Sequence, residues 1–318
     1  MQDQRVLVTG GGGFIGSNLA EELVKENEVL ILDDLSTGRM ENIKELVEKA
    51  NVKFIRGSIT DLHFLQKSFS NIDYVFHLAA IPSVPESIKD PISSNNVNIN
   101  GTLNVLIAAR DNQIRKVVYA SSCAVYGDAT IMPIAETATL NPKSPYAVAK
   151  LAGEYYCSVF SRVYNLPTTS LRYFNVYGPR QNPNSEYAAV IPKFMSKILA
   201  DRPPVIYGDG LQTRDFVFVK DVVRANILAA ESRETEVFNI GSGVSMTITE
   251  LSKTIMDILD KDLKPLHDGP REGEIMHSYA DISKVKLLGY LPEYSLEDGL
   301  RELMGWFKTG LSEKFANI

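Results

Sequence analysis

Cysteine is scarce in this chain. Only Cys123 and Cys157 occur in 318 residues, too few and too dispersed for a disulfide framework, so both are expected as free thiols in a reducing compartment. Histidine is scarce as well: His63, His77, His267 and His277 lack metal-ligand spacing and have no cysteine partners, and no metal is expected. Positive charge is in deficit, with 33 Lys and Arg against 39 Asp and Glu and a formal net charge of -6. Without a cationic cluster, nucleic acid and anionic membrane are excluded as partners. No apolar run approaches the ~20 residues of a membrane-spanning helix. Met1 to Arg5 lead straight into Val-Leu-Val without the basic region, apolar segment and cleavage site of a signal peptide, so a cytoplasmic location is expected. Internal repeats and low-complexity tracts are also missing.

What is present is an ordinary enzyme-sized composition, 44% hydrophobic and 23% charged, enough for one large core or one core with a smaller attached lobe. Short β-branched runs alternate with helix-length amphipathic segments through the first half, the pattern of parallel βαβ units. Strands are predicted at Arg5–Thr9, Val29–Asp33, Lys53–Gly57, Tyr74–Leu78, Lys116–Ser121 and Thr168–Arg172, with helices at Phe14–Glu26, Leu62–Ser68, Asn98–Asp111 and Tyr146–Tyr164. The fold class is α/β: a Rossmann-type doubly wound parallel sheet with a smaller C-terminal α/β substrate-binding lobe. Residues 1–174 form the cofactor-binding domain in this reading and 175–318 mainly the substrate domain, where Pro and Gly clusters interrupt the alternation. A segment near 215–242, containing the apolar run Glu236–Gly241, is expected to return to the main sheet.

Gly11-Gly12-Gly13-Phe14-Ile15-Gly16 follows the first strand and opens the first helix. Gly11, Gly13 and Gly16 satisfy the dinucleotide fingerprint, in which glycine lets the backbone approach a pyrophosphate that the helix N-terminus then receives. Asp33 ends the second strand about 20 residues on, where a carboxylate accepts hydrogen bonds from the adenosine ribose. The same carboxylate repels a 2′-phosphate, and Asp34 and Leu35 follow it rather than arginine. NAD is therefore favoured over NADP, with Arg39 leaving the question open.

Tyr146-Ala147-Val148-Ala149-Lys150 puts a phenol and an ammonium one helical turn apart on the same face. A cation at ~4 Å interacts by about 4 kcal/mol at an effective dielectric of ~20, roughly three pKa units, and a positively charged nicotinamide ring pushes in the same direction, so Lys150 and the cofactor together are expected to make Tyr146 a useful base. Ser122, just past the fifth strand, is placed to hydrogen-bond the reacting oxygen. Alone, Tyr-x-x-x-Lys is no more than a surface pair on an amphipathic helix.

With these motifs, and with His77-Leu78-Ala79-Ala80, Asn98-Ile99-Asn100-Gly101-Thr102, Ser121 to Gly127 and Arg172 to Pro179, the chain resembles the extended short-chain dehydrogenase/reductase family, specifically the nucleotide-sugar epimerases and dehydratases, nearly end to end. The resemblance implies a catalytic set of Ser122, Tyr146 and Lys150. It implies a cofactor site from Gly10, Gly13, Phe14, Ile15 and Gly16 at the turn, Asp33, Asp34, Ser58 and Ile59 at the adenosine end, and Leu78, Ala79, Ala80, Asn98, Tyr146, Lys150 and Tyr173 beyond. Ser58 stands where the family commonly has an adenine-contacting aspartate.

In the family's dehydratases and decarboxylases the residues after the catalytic hydroxyl supply an Asp-Glu pair or a glutamate; here they are Cys123 and Ala124. Elimination then lacks its acid, whereas C4 epimerisation needs no group beyond Tyr146 and NAD. The substrate positions implied by the resemblance are Asn175, Arg214 and Arg271 for a diphosphate, Ala189, Val190 and Tyr207 around a uracil, and Ser83, Ser122, Cys123 and Ser278 near the sugar. Ser278, Ser83 and Ala189 are small where members restricted to UDP-glucose and UDP-galactose carry tyrosine, lysine and asparagine, which favours UDP-N-acetylglucosamine and UDP-N-acetylgalactosamine. UDP-glucose/UDP-galactose, UDP-glucuronate epimerisation, a 4,6-dehydratase and a non-catalytic NAD sensor stay open at this point. The family commonly forms homodimers by helix packing, for which Asn98–Asp111 and Tyr146–Tyr164 would serve.

Overall fold

Arg5–Thr9 (β1) reads Arg-Val-Leu-Val-Thr and buries its last four residues. Side chains alternate across a strand, so Val6 and Val8 enter one apolar core while Leu7 enters another. The same alternation runs through Glu28–Asp33 (β2), Val52–Arg56 (β3), Tyr74–His77 (β4), Lys116–Ser122 (β5) and Thr168–Tyr173 (β6). Strands apolar on both faces need cover on both sides, which accounts for the parallel sheet and its two layers of helices. The computed structural model describes residues 1–182, 189–270 and 275–316, with only the helical backbone described over 309–316.

Further strands are Asn175–Tyr177 (β7), Val205–Tyr207 (β8), Thr213–Arg214 (β9), Phe216–Phe218 (β10), Val237–Ile240 (β11), Met246–Thr247 (β12), Leu266–Asp268 (β13) and His277–Ser278 (β14). The main sheet has seven parallel strands in the order β11-β6-β5-β4-β1-β2-β3. The direction of winding reverses between β1 and β4, and a crevice opens there beyond the C-terminal strand ends, the usual ligand position in such sheets. The helices Phe14–Leu23 (α1), Leu62–Ser68 (α2), Val84–Lys89 (α3), Pro91–Asn95 (α4), Thr102–Asp111 (α5) and Pro145–Val163 (α6) connect the first six strands. One core joins the sheet to α1 through Leu19 and Leu23, and the other joins it to α5 and α6 through Val105, Leu106 and Phe160.

A third core lies outside the sheet, built from Tyr177, Phe194, Met195, Phe216, Phe218, Leu251, Leu300 and Leu303. It gathers β7, β10 and the helices Val190–Leu199 (α7), Ile248–Ile258 (α9) and Leu296–Ala316 (α10), while Val219–Glu231 (α8) leads back to β11. Three small sheets complete this region, pairing β10 with β7, β13 with β8, and β12-β9-β14. No described helix is long and apolar enough to cross a membrane.

The helix expected over 98–111 is two elements: a π-helical turn at Asn96–Gly101, then α5. The cause is Asn98, whose amide turns to a neighbouring loop, accepting from Ile81 N at 2.8 Å and donating to Ile81 O at 3.0 Å. Such widened turns arise where a residue serves a local contact instead of helix regularity. α6 starts sharply because the Ser144 side chain accepts from Ala147 N at 3.2 Å and Pro145 occupies the first helical position.

Candidate active site

The glycine turn is shaped by close approach. Gly10 has φ +71, and a Cβ on it would stand 2.6 Å from Ala79 N; one on Gly16 would stand 2.2 Å from Gly10 O. Neither position admits a side chain, so α1 begins directly against the turn, and no acidic residue lies in its first turn. Its N–H groups and positive dipole end are thereby presented to an anion. Asp33 accepts from Gly12 N and Leu35 N, each at 2.8 Å. Burial raises this carboxyl above its ordinary range and the Leu35 and Gly12 bonds hold it back. With up to four acceptor sites, an ionised Asp33 keeps capacity for ribose hydroxyls.

The turn, Asp33, Asp34, Ile59, Leu78, Ala79, Ala80, Ser83, Tyr146, Lys150 and Tyr173 all line one groove of about 890 Å³. This donor set fits NAD: a glycine cradle for the pyrophosphate, a carboxylate for the ribose and a Tyr-Lys pair at the far end. Two cofactor positions expected from the sequence are placed differently. The Ser58 hydroxyl is engaged by Thr60, at 3.1 Å between the two oxygens, and its neighbours Gly57 and Ile59 face the groove in its stead. Asn98 is 1% exposed and braces Ile81 from behind, its amide accepting from Ile81 N and donating to Ile81 O and Ser94 Oγ.

Tyr146 and Lys150 lie one turn apart on α6, with the Lys150 ammonium 5.8 Å from the Tyr146 ring centre and 5.2 Å from that of Tyr119. Lys150 Nζ donates to Ala120 O at 2.8 Å, tying the helix to the end of β5. Burial lowers its pKa to about 8, opposed by Cys157 and Glu154. Lys150 and a bound nicotinamide ring are expected from the sequence to lower the Tyr146 phenol; burial acts on it in the other direction. Burial pushes the phenol up to about 12, a hydrogen bond with Ser122 opposing it and Cys123 adding to it. Desolvation disfavours the anionic form of a buried phenol. His77 is held neutral by burial, with Lys150 adding to the effect, its pKa down to about 3. It bridges Thr9 Oγ1 at 2.8 Å and Thr102 Oγ1 at 2.9 Å, a bolt between β1, β4 and α5 that needs no metal.

A second cavity of about 250 Å³ is lined by Asn175, Ala189, Val190, Tyr207 and Arg214. Ala189 borders both cavities, so they meet there. Arg214 Nη1 donates to Thr213 O at 2.8 Å, and Ser278 on β14 pairs directly with Arg214 on β9. Ser278 is buried and hydrogen-bonds the Cys123 thiol, which burial pushes up to about 11. Neither Cys123 nor Ser278 lines either cavity; they pack between the serine at the end of β5 and the arginine strand. Arg271 lies outside the described residues.

Two buried groups that pattern reading passed over organise this region. Asp215, fully buried, accepts from Ser242 N at 2.7 Å, Ser242 Oγ at 2.7 Å, Gly243 N at 3.0 Å and Ala280 N at 3.1 Å, fixing the arginine strand to its neighbours. Glu154, four residues past Lys150, takes Arg172 Nε at 2.9 Å and Nη2 at 2.7 Å, and accepts from Ser121 Oγ. The only sequence signal for Glu154 is its helical spacing from Lys150, and Asp215 has none beyond adjacency to Arg214.

Residues 6–241 match the model of the NAD dependent epimerase/dehydratase family. A protein of Methanocaldococcus jannaschii described as a putative UDP-glucose 4-epimerase is 40% identical over 96% of this chain and 98% of its own length. Among solved structures, UDP-N-acetylglucosamine 4-epimerase from Methanobrevibacter ruminantium, in complex with UDP-N-acetylmuramic acid, superposes with a TM-score of 0.95 at 46% identity over 98% of this chain and 100% of that one. DesIV, a dTDP-glucose 4,6-dehydratase of Streptomyces venezuelae with NAD bound, superposes with a TM-score of 0.90 at 31% identity over 97% of this chain and 98% of that one. A dinucleotide groove, a tyrosine-lysine pair at its end and a likeness running the length of the chain converge: this protein belongs to the NAD dependent epimerase/dehydratase family and is an NAD-dependent enzyme.

Proposed function

We propose that the enzyme inverts C4 of a UDP-hexose through a transient 4-keto sugar, with UDP-N-acetylglucosamine and UDP-N-acetylgalactosamine as the favoured pair. The observation that carries this reading over dehydration is the pair after Ser122. Cys123 and Ala124 stand where dehydratases and decarboxylases carry an Asp-Glu pair or a glutamate, so the carboxyl group that elimination uses is missing from these two positions. Similarity to UDP-sugar 4-epimerases at 40% and 46% identity supports the same choice.

When bound, NAD supplies a hydride acceptor, a hydride donor and a positive nicotinamide ring. The chain's own residues do the rest. Ser122 hydrogen-bonds both the Tyr146 phenol and the reacting C4 oxygen. Tyr146 takes the hydroxyl proton and later returns it, its raised proton affinity suiting the return. Lys150, partly desolvated, stabilises the phenolate across one helical turn. Arg214, Asn175 and Arg271 grip the diphosphate while the freed keto sugar turns over, and Val190, Ala189 and Tyr207 bound the uracil. Residues 1–174 with the β11 region hold the cofactor in this reading, and 175–318 mainly the substrate.

Specificity rests on room. Ser83 and Ala189 line the groove with small side chains, and Ser278, small and buried against Cys123, backs the same region in this reading, leaving space for a 2-acetamido group. The purified protein should interconvert UDP-N-acetylglucosamine and its C4 epimer without added reductant, resolved by chromatography. Ser278→Tyr should depress kcat/KM for that sugar by about two orders of magnitude and leave UDP-glucose far less affected, since a filled pocket rejects by clash. Equal losses on both sugars would remove Ser278 from the specificity argument. Turnover of UDP-glucuronate or UDP-glucose alone would overturn the acetamido reading while keeping the mechanism, and a stable 4-keto product would mark a dehydratase.

The enzyme acts in this reading as a cytoplasmic homodimer. Free Cys123 and Cys157 suit the compartment. For the dimer, Val148, Tyr155, Val159 and Val163 form an exposed apolar face on α6, extended by Ile88 of α3 and Ile92 of α4. The helix expected as partner, α5, presents no exposed large apolar side chain among the described residues, because α2 and α6 cover it. The α3–α4–α6 face is thus the one offered to a second copy.

A further inference from the structure

Val117 and Tyr119 of β5 face the core shared with α5 and α6, while Val118 and Ala120 face the other. Tyr119 carries a phenol into that core and is 1% exposed. Room for it is made in the middle of α6. A Cβ on Gly153 would stand 2.2 Å from Tyr119 Oη and 2.4 Å from its Cζ. Glycine inside a helix weakens it relative to alanine, so the helix gives up stability at this position to admit the phenol beneath it. Tyr119 Oη donates to Lys150 O at 3.4 Å and is hydrogen-bonded with Thr102 of α5, which is bonded in turn to His77 at 2.9 Å. The ring is thereby fixed from both helices.

The face of that ring meets Lys150. Its Nζ lies 5.2 Å from the Tyr119 ring centre, within the ~6 Å at which an aromatic face attracts a cation. The same Nζ donates to Ala120 O, one residue along β5, at 2.8 Å. Neighbouring residues of one strand thus hold the ammonium, a ring by its face and a carbonyl by its oxygen. Lys150 is 4% exposed, and a buried cation needs attraction in place of the water it has lost. Glu154, the carboxylate one turn farther along α6, is committed to Arg172 and Ser121. A carboxylate set against the ammonium would cancel the field that Lys150 exerts on a Tyr146 phenolate. An aromatic face attracts the ammonium and leaves its net charge in place.

We propose that Tyr119 is a positioning residue for Lys150: its ring, seated beneath Gly153, holds the ammonium where it acts on Tyr146. The proposal rests on the reading of Lys150 as the group that stabilises the Tyr146 phenolate during C4 epimerisation, and it gives a reason for a mid-helix glycine and a core phenol.

The test is kcat against pH at saturating NAD, on UDP-N-acetylglucosamine, or on UDP-glucose should that be the sugar turned over. Loss of the ring disfavours the charged form of Lys150, so the ammonium gives up its proton at lower pH. Tyr119→Leu should therefore move the alkaline limb down by about one pH unit and lower kcat about tenfold, the worth of a desolvated cation–π contact, with KM for the sugar changing far less. Tyr119→Phe keeps the ring and should keep the wild-type limb. Gly153→Ala, which displaces the ring while leaving it in the chain, should act as Tyr119→Leu does. The other titratable groups about the ammonium among the described residues are Tyr146, Glu154 and Cys157 on its own helix and His77 on β4, and these variants leave all four in place. A lower kcat in Tyr119→Leu with the limb unmoved would mark a packing defect and overturn the proposal. An equal movement in Tyr119→Phe would also overturn it, since the hydroxyl and not the ring face would then be responsible. Should Tyr119→Leu fail to fold, Gly153→Ala against Tyr119→Phe makes the same comparison. Lys150→Met at wild-type kcat would instead remove Lys150 from the reaction, and the catalytic reading would fall together with the proposal.

Discussion

Tyr146→Phe is expected to lower kcat by about 10²–10⁴-fold, the usual worth of a positioned general acid–base, while the protein keeps its NAD and its melting temperature. The substitution deletes one oxygen. Tyr146 donates its backbone N–H to Ser87 Oγ at 3.1 Å, and its ring stays packed beside Lys150, so neither helix nor groove should move. The variant should still bind UDP-sugar, and KM should change far less than kcat, since the lost contact matters only while the proton moves. Steady-state kinetics with NAD quantified on the same sample decides the matter. A variant within tenfold of wild type at full NAD occupancy would show that another group carries the proton, and the assignment of Tyr146 would fall.

Arg172→Met is expected to cost about 3–5 kcal/mol of stability, because it strands the Glu154 carboxylate in the interior. Both side chains are under 5% exposed, and the guanidinium also donates to Tyr126 Oη at 2.8 Å, which in turn donates to Asn239 at 2.6 Å. The pair ties α6, with Tyr146 and Lys150, to β5 through Ser121, the neighbour of Ser122. Loss should therefore appear as a lower denaturant midpoint and as a fall in kcat below the midpoint. Arg172→Met with Glu154→Leu should recover much of the stability, since removing both charges removes the penalty, but less of kcat, since the tie to Ser121 is gone. A double variant no more stable than Arg172→Met would mean that the stranded charge is not the source of the loss.

Legibility from sequence followed the range of the interactions concerned. The glycine turn, α1 and Asp33 lie within one βαβ unit, where spacing alone dictates geometry, and they stand as expected. Tyr146 and Lys150 share a helix face for the same reason. Strand periodicity located six strands to within a residue or so, whereas Asn98–Asp111 broke into a π-turn and α5 because Asn98 answers to Ile81, a partner no helical periodicity contains. Ser58 accepts from its local partner Thr60, a contact that strand periodicity does not contain.

By itself the sequence determined the parallel α/β architecture, the cofactor class and the placement of a phenol, an ammonium and a serine at the end of β5, all consequences of local spacing and strand alternation. Only the tertiary structure decided how those groups behave. Burial raises the Tyr146 phenol and a hydrogen bond with Ser122 opposes it, because desolvation depends on everything packed around the phenol. Ser278 meets Cys123, and Arg180 meets α1 across 161 residues of chain at the neighbouring Pro179–Asn18 bond, because closing such long loops is driven by burial of three cores and leaves no periodic trace in the chain.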